Sequence, residues 1–246
     1  MCTSFVFRKE DVWIGMNFDN NETDFRISTN EGNDFLVSVK VDKRYFPTIG
    51  INRNGVFVND QRVGANEKGK YKRQTDKRWV TTKLIQFTME GDRRFEGIME
   101  ELERVEIVNV PKISTHNLIV DAGGDLCLVE PGRRNIFSEK SDTEWYVVSN
   151  FPLSDYEEVV PAAVMGTGAD RYLKVLEGLS ALRGPMTVER GFEILKSVQQ
   201  DGPDWTTELS IIYNATGRRL FYCLNRDYDK VFEYGFDLQE AIIWTR

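Results

Sequence analysis

Met1-Cys2-Thr3-Ser4-Phe5-Val6-Phe7-Arg8-Lys9-Glu10-Asp11-Val12-Trp13-Ile14-Gly15-Met16-Asn17-Phe18-Asp19 opens the chain. Ser4–Phe7 and Val12–Met16 read as two short strands, and the charged tetrapeptide Arg8-Lys9-Glu10-Asp11 between them reads as the turn of a hairpin. The β-rich composition continues through Phe35–Val41, Thr48–Ile51 and Gly55–Val58, with Asn52-Arg53-Asn54-Gly55 supplying a turn. Gly64 to Asp76 is polar and charged and reads as an exposed, solvated loop. The period then changes. Over Val80–Met89 and Arg93–Val105 apolar residues recur at helical spacing, Phe95, Ile98, Met99 and Leu102 among them.

Strands return at Asn117–Asp121 and Leu126–Glu130, joined by the hairpin turn Ala122-Gly123-Gly124-Asp125, and again at Trp145–Val148. A second helical pair spans Ala169–Leu182, stopped by Gly184-Pro185, and Val188–Val198, stopped near Gly202-Pro203. The chain closes in β, with Leu209–Tyr213, the turn Asn214-Ala215-Thr216-Gly217, Leu220–Leu224 and a short edge around Val231-Phe232. No repeat or linker divides it, so residues 1–246 read as one domain. Helices come in pairs between runs of strands, which disfavours a parallel doubly wound sheet and favours an α+β protein of two antiparallel sheets covered by helices.

Composition narrows the function. Thirty-two Lys+Arg against 39 Asp+Glu give a net charge of −7, which argues against a nucleic-acid partner. No apolar run approaches the roughly 20 residues needed to cross a bilayer. Without an export signal the expected location is the cytoplasm. Cys2, Cys127 and Cys223 are too few and too scattered for a disulfide scaffold, and Cys127 and Cys223 read as core residues. His116 is the single histidine, so a multi-histidine metal site is excluded and any Cys–His relay would have to use it. Its place at the start of an apolar strand favours a structural role.

Cys2 offers chemistry that needs no histidine. Removal of Met1 by methionine aminopeptidase would leave a cysteine with a free α-amine, nucleophile and base in one residue. The α-amine titrates at about 7.7–8.0 and the thiol at about 8.5, close enough to exchange a proton.

Several spaced segments resemble the choloylglycine hydrolases and penicillin V acylases, N-terminal-nucleophile amidohydrolases that begin Met-Cys-Thr. Those segments are Met1-Cys2-Thr3 with Gly15-Met16-Asn17-Phe18-Asp19, the hairpin from His116–Asp121 to Val129-Glu130, Val148-Ser149-Asn150-Phe151-Pro152, and Ala169-Asp170-Arg171-Tyr172-Leu173-Lys174-Val175. They keep the family's order and span most of the chain. The resemblance implies a four-layer αββα sandwich and cleavage of a linear, non-peptide C–N amide through an acyl-enzyme on Cys2, without cofactor or metal. The alternatives are an acyltransferase of the isopenicillin N acyltransferase-like type and a catalytically silent binding protein.

Carried over by position, Asp19 is the carboxylate that orients and charges the α-amine, Asn150 an oxyanion donor and Arg171 the supporting cation. Asn59 stands for the second oxyanion donor, at a shorter spacing from Gly55 than in the bile-salt enzymes. Met16 replaces an arginine of those enzymes, which puts their substrate specificity in question. Met16, Phe18, Phe57 and Phe151, with Tyr172, are the candidate lining of an apolar substrate pocket. The stretch Phe151 to Asp170 is shorter than the insertion that contributes to the family tetramer, so a monomer or dimer is expected.

Overall fold

The computed structural model describes residues 1–30, 34–156, 163–236 and 240–244. In chain order the strands are β1 (Cys2–Phe7), β2 (Trp13–Asn20), β3 (Phe25–Asn30), β4 (Asp34–Val41), β5 (Arg44–Ile51), β6 (Phe57–Asn59), β7 (Gln61–Arg62) and β8 (Arg78–Val80), followed by helices α1 (Thr81–Met89) and α2 (Phe95–Leu102). Then come β9 (Glu106–Val108), β10 (Thr115–Val120), β11 (Leu126–Val129), β12 (Ile136–Ser138) and β13 (Trp145–Val148). Helices α3 (Ala169–Ala181) and α4 (Val188–Ser197) precede β14 (Thr206–Asn214), β15 (Arg219–Leu224), β16 (Phe232–Gly235) and β17 (Glu240–Ile243). The chain folds as two compact units, one of Met1–Glu22, Lys140–Phe151 and Glu158–Arg246, the other of Thr23–Glu139 and Pro152–Glu157.

The first unit is a seven-stranded antiparallel sheet in the order β13-β1-β2-β14-β15-β16-β17. Every residue of β1 and β2 is buried, so both faces of these central strands are covered, and one of them is covered by helices. Val175 and Leu179 of α3, and Phe192 and Leu195 of α4, join Phe5, Phe7, Trp13, Ile212 and Phe221 of the sheet in one apolar cluster. The apolar periodicity of both helices is thereby spent on a single sheet face. Thr187 caps α4, its hydroxyl accepting the Arg190 N–H at 3.3 Å.

The second unit is a sheet in the order β12-β11-β10-β6-β5-β4-β3, with β7 paired to β10. Val58, Ile119 and Val129 of this sheet, with Val56 just before β6, pack with Leu84 and Ile85 of α1 and Phe95 and Ile98 of α2. Asn52 shapes the turn foreseen between β5 and β6. Its side-chain Oδ1 accepts the N–H groups of Asn54 and Val56, while its side-chain amide donates to the backbone oxygens of Thr88 and Arg93.

The hairpins β1–β2 and β10–β11, and all four helices, lie where the sequence put them. Gly64 to Asp76 is an exposed loop with a few half-buried residues. Two readings are corrected. The helical reading of Arg93–Val105 is too long, because α2 stops at Leu102 and the chain enters β9, which pairs in parallel with β8. The edge at Val231-Phe232 is interior, because β17 pairs on the outer side of β16. β3 and β12 are strands the sequence did not declare, their apolar residues being diluted by Arg26, Ser28 and Ser138. Of the connection Phe151 to Asp170, a 3₁₀ turn at Leu153–Asp155 is described, and residues 157–162 lie outside the described residues.

Candidate active site

Cys2 is the first residue of β1 and pairs with Phe18, while Ser4 pairs with Met16. Strand alternation therefore puts Cys2, Met16 and Phe18 on one face of the sheet. Thr3, Asn17 and Asp19 fall on the other face, toward α3 and α4, where Asn17 donates to the Leu195 carbonyl at 2.8 Å.

Arg171, in the first turn of α3, gathers the predicted residues. One guanidinium nitrogen, Nη1, donates to the Cys2 carbonyl at 3.1 Å, the Thr3 hydroxyl at 2.5 Å and Asp19 Oδ2 at 3.4 Å. The other, Nη2, donates to Asn150 Oδ1 at 2.7 Å. A planar fork with fixed donor directions suits this task better than a point charge on a flexible stem. It also sets the Asn150 side chain, because an amide whose oxygen faces Arg171 has its NH₂ on the opposite side. Cys2, Asp19, Asn150 and Arg171 are each at most 6% exposed.

Asp19 is held from three more directions. Thr207, its cross-strand partner on β14, donates its hydroxyl to Oδ1 at 2.6 Å and accepts the Gln200 N–H at 2.8 Å. The Gln200 side-chain amide donates to Oδ2. The Met1 amine donates to the Asp19 backbone oxygen at 2.8 Å. Burial raises the Asp19 carboxyl above its ordinary range, against the pull of Thr207, the N-terminal ammonium, Gln200 and Arg171. Burial likewise pushes up the Cys2 thiol. The N-terminal ammonium, the Asp19 N–H and Arg171 act in the opposite sense, and the Asp19 carboxylate adds to the rise. In this state the nucleophile candidate is a neutral thiol.

Gly168, just before α3, has φ +80°, and a Cβ there would lie 2.3 Å from the Ser149 hydroxyl and 2.7 Å from Arg171 Nη2. A side chain at 168 is excluded by both backbone and space. Phe151 stands edge-on to Tyr172 with ring centroids 5.2 Å apart, beside the Asn150–Arg171 contact.

Asn59 and Phe57 belong to the second unit and are fully buried in β6. Asn59 Oδ1 accepts the Leu118 N–H at 3.2 Å, and its backbone oxygen accepts the Asn117 amide at 2.9 Å. The same Asn117 amide lies 3.3 Å from the carboxylate of Asp60. Burial pushes the Asp60 carboxyl up to about 6, opposed by hydrogen bonds from Thr115, Thr81 and Asn117. His116 is buried on β10 with Nδ1 3.5 Å from Glu130 Oε1. Glu130 also accepts the N–H groups of Leu153 and Ser154, which fits the structural role read for this histidine.

Thr3, Thr207, Gln200 and Gly168 were not foreseen. Thr3 had a usable signal, since it follows Cys2 directly and alternation turns it to the opposite face. Thr207 and Gln200 reach Asp19 only through the β2–β14 register and carry no local mark. Among the described residues no group of three or more His, Cys, Asp or Glu side chains could hold a metal ion, and no helix is long and apolar enough to cross a membrane.

Solved structures match the chain over its full length. A mutant conjugated bile acid hydrolase from Clostridium perfringens superposes with TM-score 0.68 at 15% identity, covering 100% of this chain and 97% of the other. Penicillin V acylase from Agrobacterium tumefaciens gives 0.66 at 15% identity over 95% of this chain and 86% of its own. The Caenorhabditis elegans ortholog of N-acylethanolamine-hydrolyzing acid amidase gives 0.62 at 12% identity over 99% and 100%. No protein-family model and no curated protein sequence matches. The chain therefore has the choloylglycine hydrolase-like αββα fold of the N-terminal-nucleophile hydrolases, as the spaced segments implied.

Proposed function

On the fold of the cysteine N-terminal-nucleophile amidohydrolases, we propose that this chain hydrolyses a linear, non-peptide C–N amide through an acyl-enzyme on Cys2. The observation that carries the reading is the Arg171 fork, which binds the Cys2 carbonyl, Thr3, Asp19 and Asn150 at once. A purely structural arginine has no need of an asparagine amide and the backbone carbonyl of the candidate nucleophile together.

Loss of Met1 turns the Cys2 peptide nitrogen into an α-amine. Because the Met1 ammonium already acts to lower the thiol's pKa, moving that charge one residue closer strengthens the effect, and burial of Asp19 beside it holds the amine in place. The thiol proton passes to the amine and Sγ attacks the amide carbon. The Asn150 NH₂ donates to the resulting oxyanion, a contact of a kind worth about 10²–10³ in rate. The amine's proton then goes to the departing nitrogen as the C–N bond breaks, and water, deprotonated by the same amine, releases the acid and restores the thiol. Met16 and Phe18, on the Cys2 face, give the acyl group an apolar floor.

The test is to treat Met1-processed protein with a panel of N-acyl amides, penicillin V among them, and search by mass spectrometry for an acyl adduct on Cys2. Cys2→Ala should keep the fold and lose both adduct and turnover. Turnover retained by Cys2→Ala would reject the mechanism.

A further inference from the structure

At the far end of β1 from Cys2, the register places three aromatic residues side by side on the helix-covered face. Phe7 pairs with Trp145 of β13 on one flank and with Trp13 of β2 on the other. They floor a cavity of about 290 Å³, walled by Leu179 and Leu182 at the end of α3 and by Met186 before α4. Its mouth is formed by the β1–β2 turn and Glu144. Lys9 is taken up by Glu144 at 3.2 Å. The Glu10 and Asp11 carboxylates, both exposed, have no hydrogen-bond or ion-pair partner among the described residues, and the nearby Lys140 ammonium donates to the Glu10 backbone oxygen instead, at 3.0 Å.

The cavity thus joins an aromatic floor to a mouth lined by three carboxylates and Lys9, with Lys140 on the Glu10 backbone beside it. Its volume is at the lower end of small-ligand sites. Aromatic faces attract cations, and two uncompensated carboxylates add charge of the matching sign. Five residue steps of strand separate Phe7 from Cys2, about 17 Å at the rise of a β-strand, so this is not the thiol's own pocket. We propose that the cleft is a second ligand site that binds a small organic cation, an alkyl- or arylammonium whose apolar body lies on the Phe7–Trp13–Trp145 row and whose charge is met by Glu10 and Asp11.

The experiment is calorimetric titration of the full chain with phenethylammonium, using the neutral 2-phenylethanol as its shape match. Saturable binding of the cation is expected, with the alcohol at least about tenfold weaker. The double variant Glu10→Gln/Asp11→Asn, confined to an exposed turn, should weaken the cation about tenfold and leave the alcohol unchanged, and Trp145→Leu should weaken both. Cys2→Ala should bind phenethylammonium as the wild type does, which keeps this site separable from the catalytic reading. Absence of saturable binding, equal affinity for the alcohol, or full affinity in the double variant would overturn the proposal. Loss of binding in Cys2→Ala would place the cation at the thiol and overturn it as well.

Discussion

Asp60→Asn should stabilise the protein at neutral pH and slightly destabilise it in acid. The Asp60 carboxyl sits among Thr81, Thr115 and Asn117, and burial lifts it from the ordinary 3.8 to about 6. A carboxyl with a raised folded-state pKa contributes its full stability below the unfolded value and loses it as pH climbs through the folded value. The interval from 3.8 to about 6 corresponds to about 3 kcal/mol, lost by the wild type between roughly pH 4 and 7. Asparagine does not ionise, so the variant is spared that loss. Its own disadvantage, a rearranged hydrogen bond with the threonine hydroxyls, is about 1 kcal/mol and the same at every pH. Other carboxyls raised by burial, such as Asp19 and Asp121, are common to both proteins and cancel. For a chain of this length each kcal/mol moves the melting temperature by about 2–4 °C. Relative to wild type, the variant's melting temperature should therefore rise by about 6–12 °C on going from pH 4 to pH 8. Differential scanning calorimetry at four pH values measures it. A wild-type-to-variant difference that stays constant across the range would show that the Asp60 carboxyl titrates as an ordinary surface group.

Gly168→Ala places a methyl group against Ser149 and Arg171 at a left-handed backbone position, and should cost about 2–4 kcal/mol in thermal denaturation. Full stability would mean that the α3 start can shift freely. Arg171→Lys keeps the charge but loses the fork, so kcat/KM on a substrate found by the amide panel should fall about 10²-fold or more with the protein still folded; a change under about threefold would make the guanidinium dispensable. Protein that retains Met1, or an uncleavable N-terminal extension, should be folded and inactive. General-base assistance alone contributes about 10²–10⁴, and equal turnover of blocked and processed protein, checked by intact mass, would remove the α-amine from the mechanism.

Locally encoded features were legible. The charged turn at Arg8–Asp11, the Gly-Gly turn at 123–124 and the stops at Gly184-Pro185 and Gly202-Pro203 each act through the backbone of a few neighbouring residues, so they could be read without the rest of the chain. β17 and the pairing of β8 with β9 could not, since an edge strand or a three-residue parallel pair is decided by what it lies beside. The site divides in the same way. Cys2, Asp19, Asn150 and Arg171 stood out because they sit in spaced segments with a familiar pattern. Thr207, with the bulge that follows it on β14, matters only because it lies across from Asp19. Met16 changed meaning through register too. Its identity sets it apart from the bile-salt enzymes, while its position shows that it shares a sheet face with the thiol.

The Arg171 fork also imposes an order of events on folding. The strands and side chains that hold the Cys2 end of β1 lie far from it in sequence, with Asn150, Arg171 and the β14 segment that pairs with β2. Contacts this distant in sequence form slowly and only after the intervening chain is available. Until they form, the Cys2 end of β1 lacks its anchors. Closure of the guanidinium over the Cys2 carbonyl then fixes it. The backbone that carries the nucleophile candidate is thus set late, by contacts that reach across 169 residues of sequence.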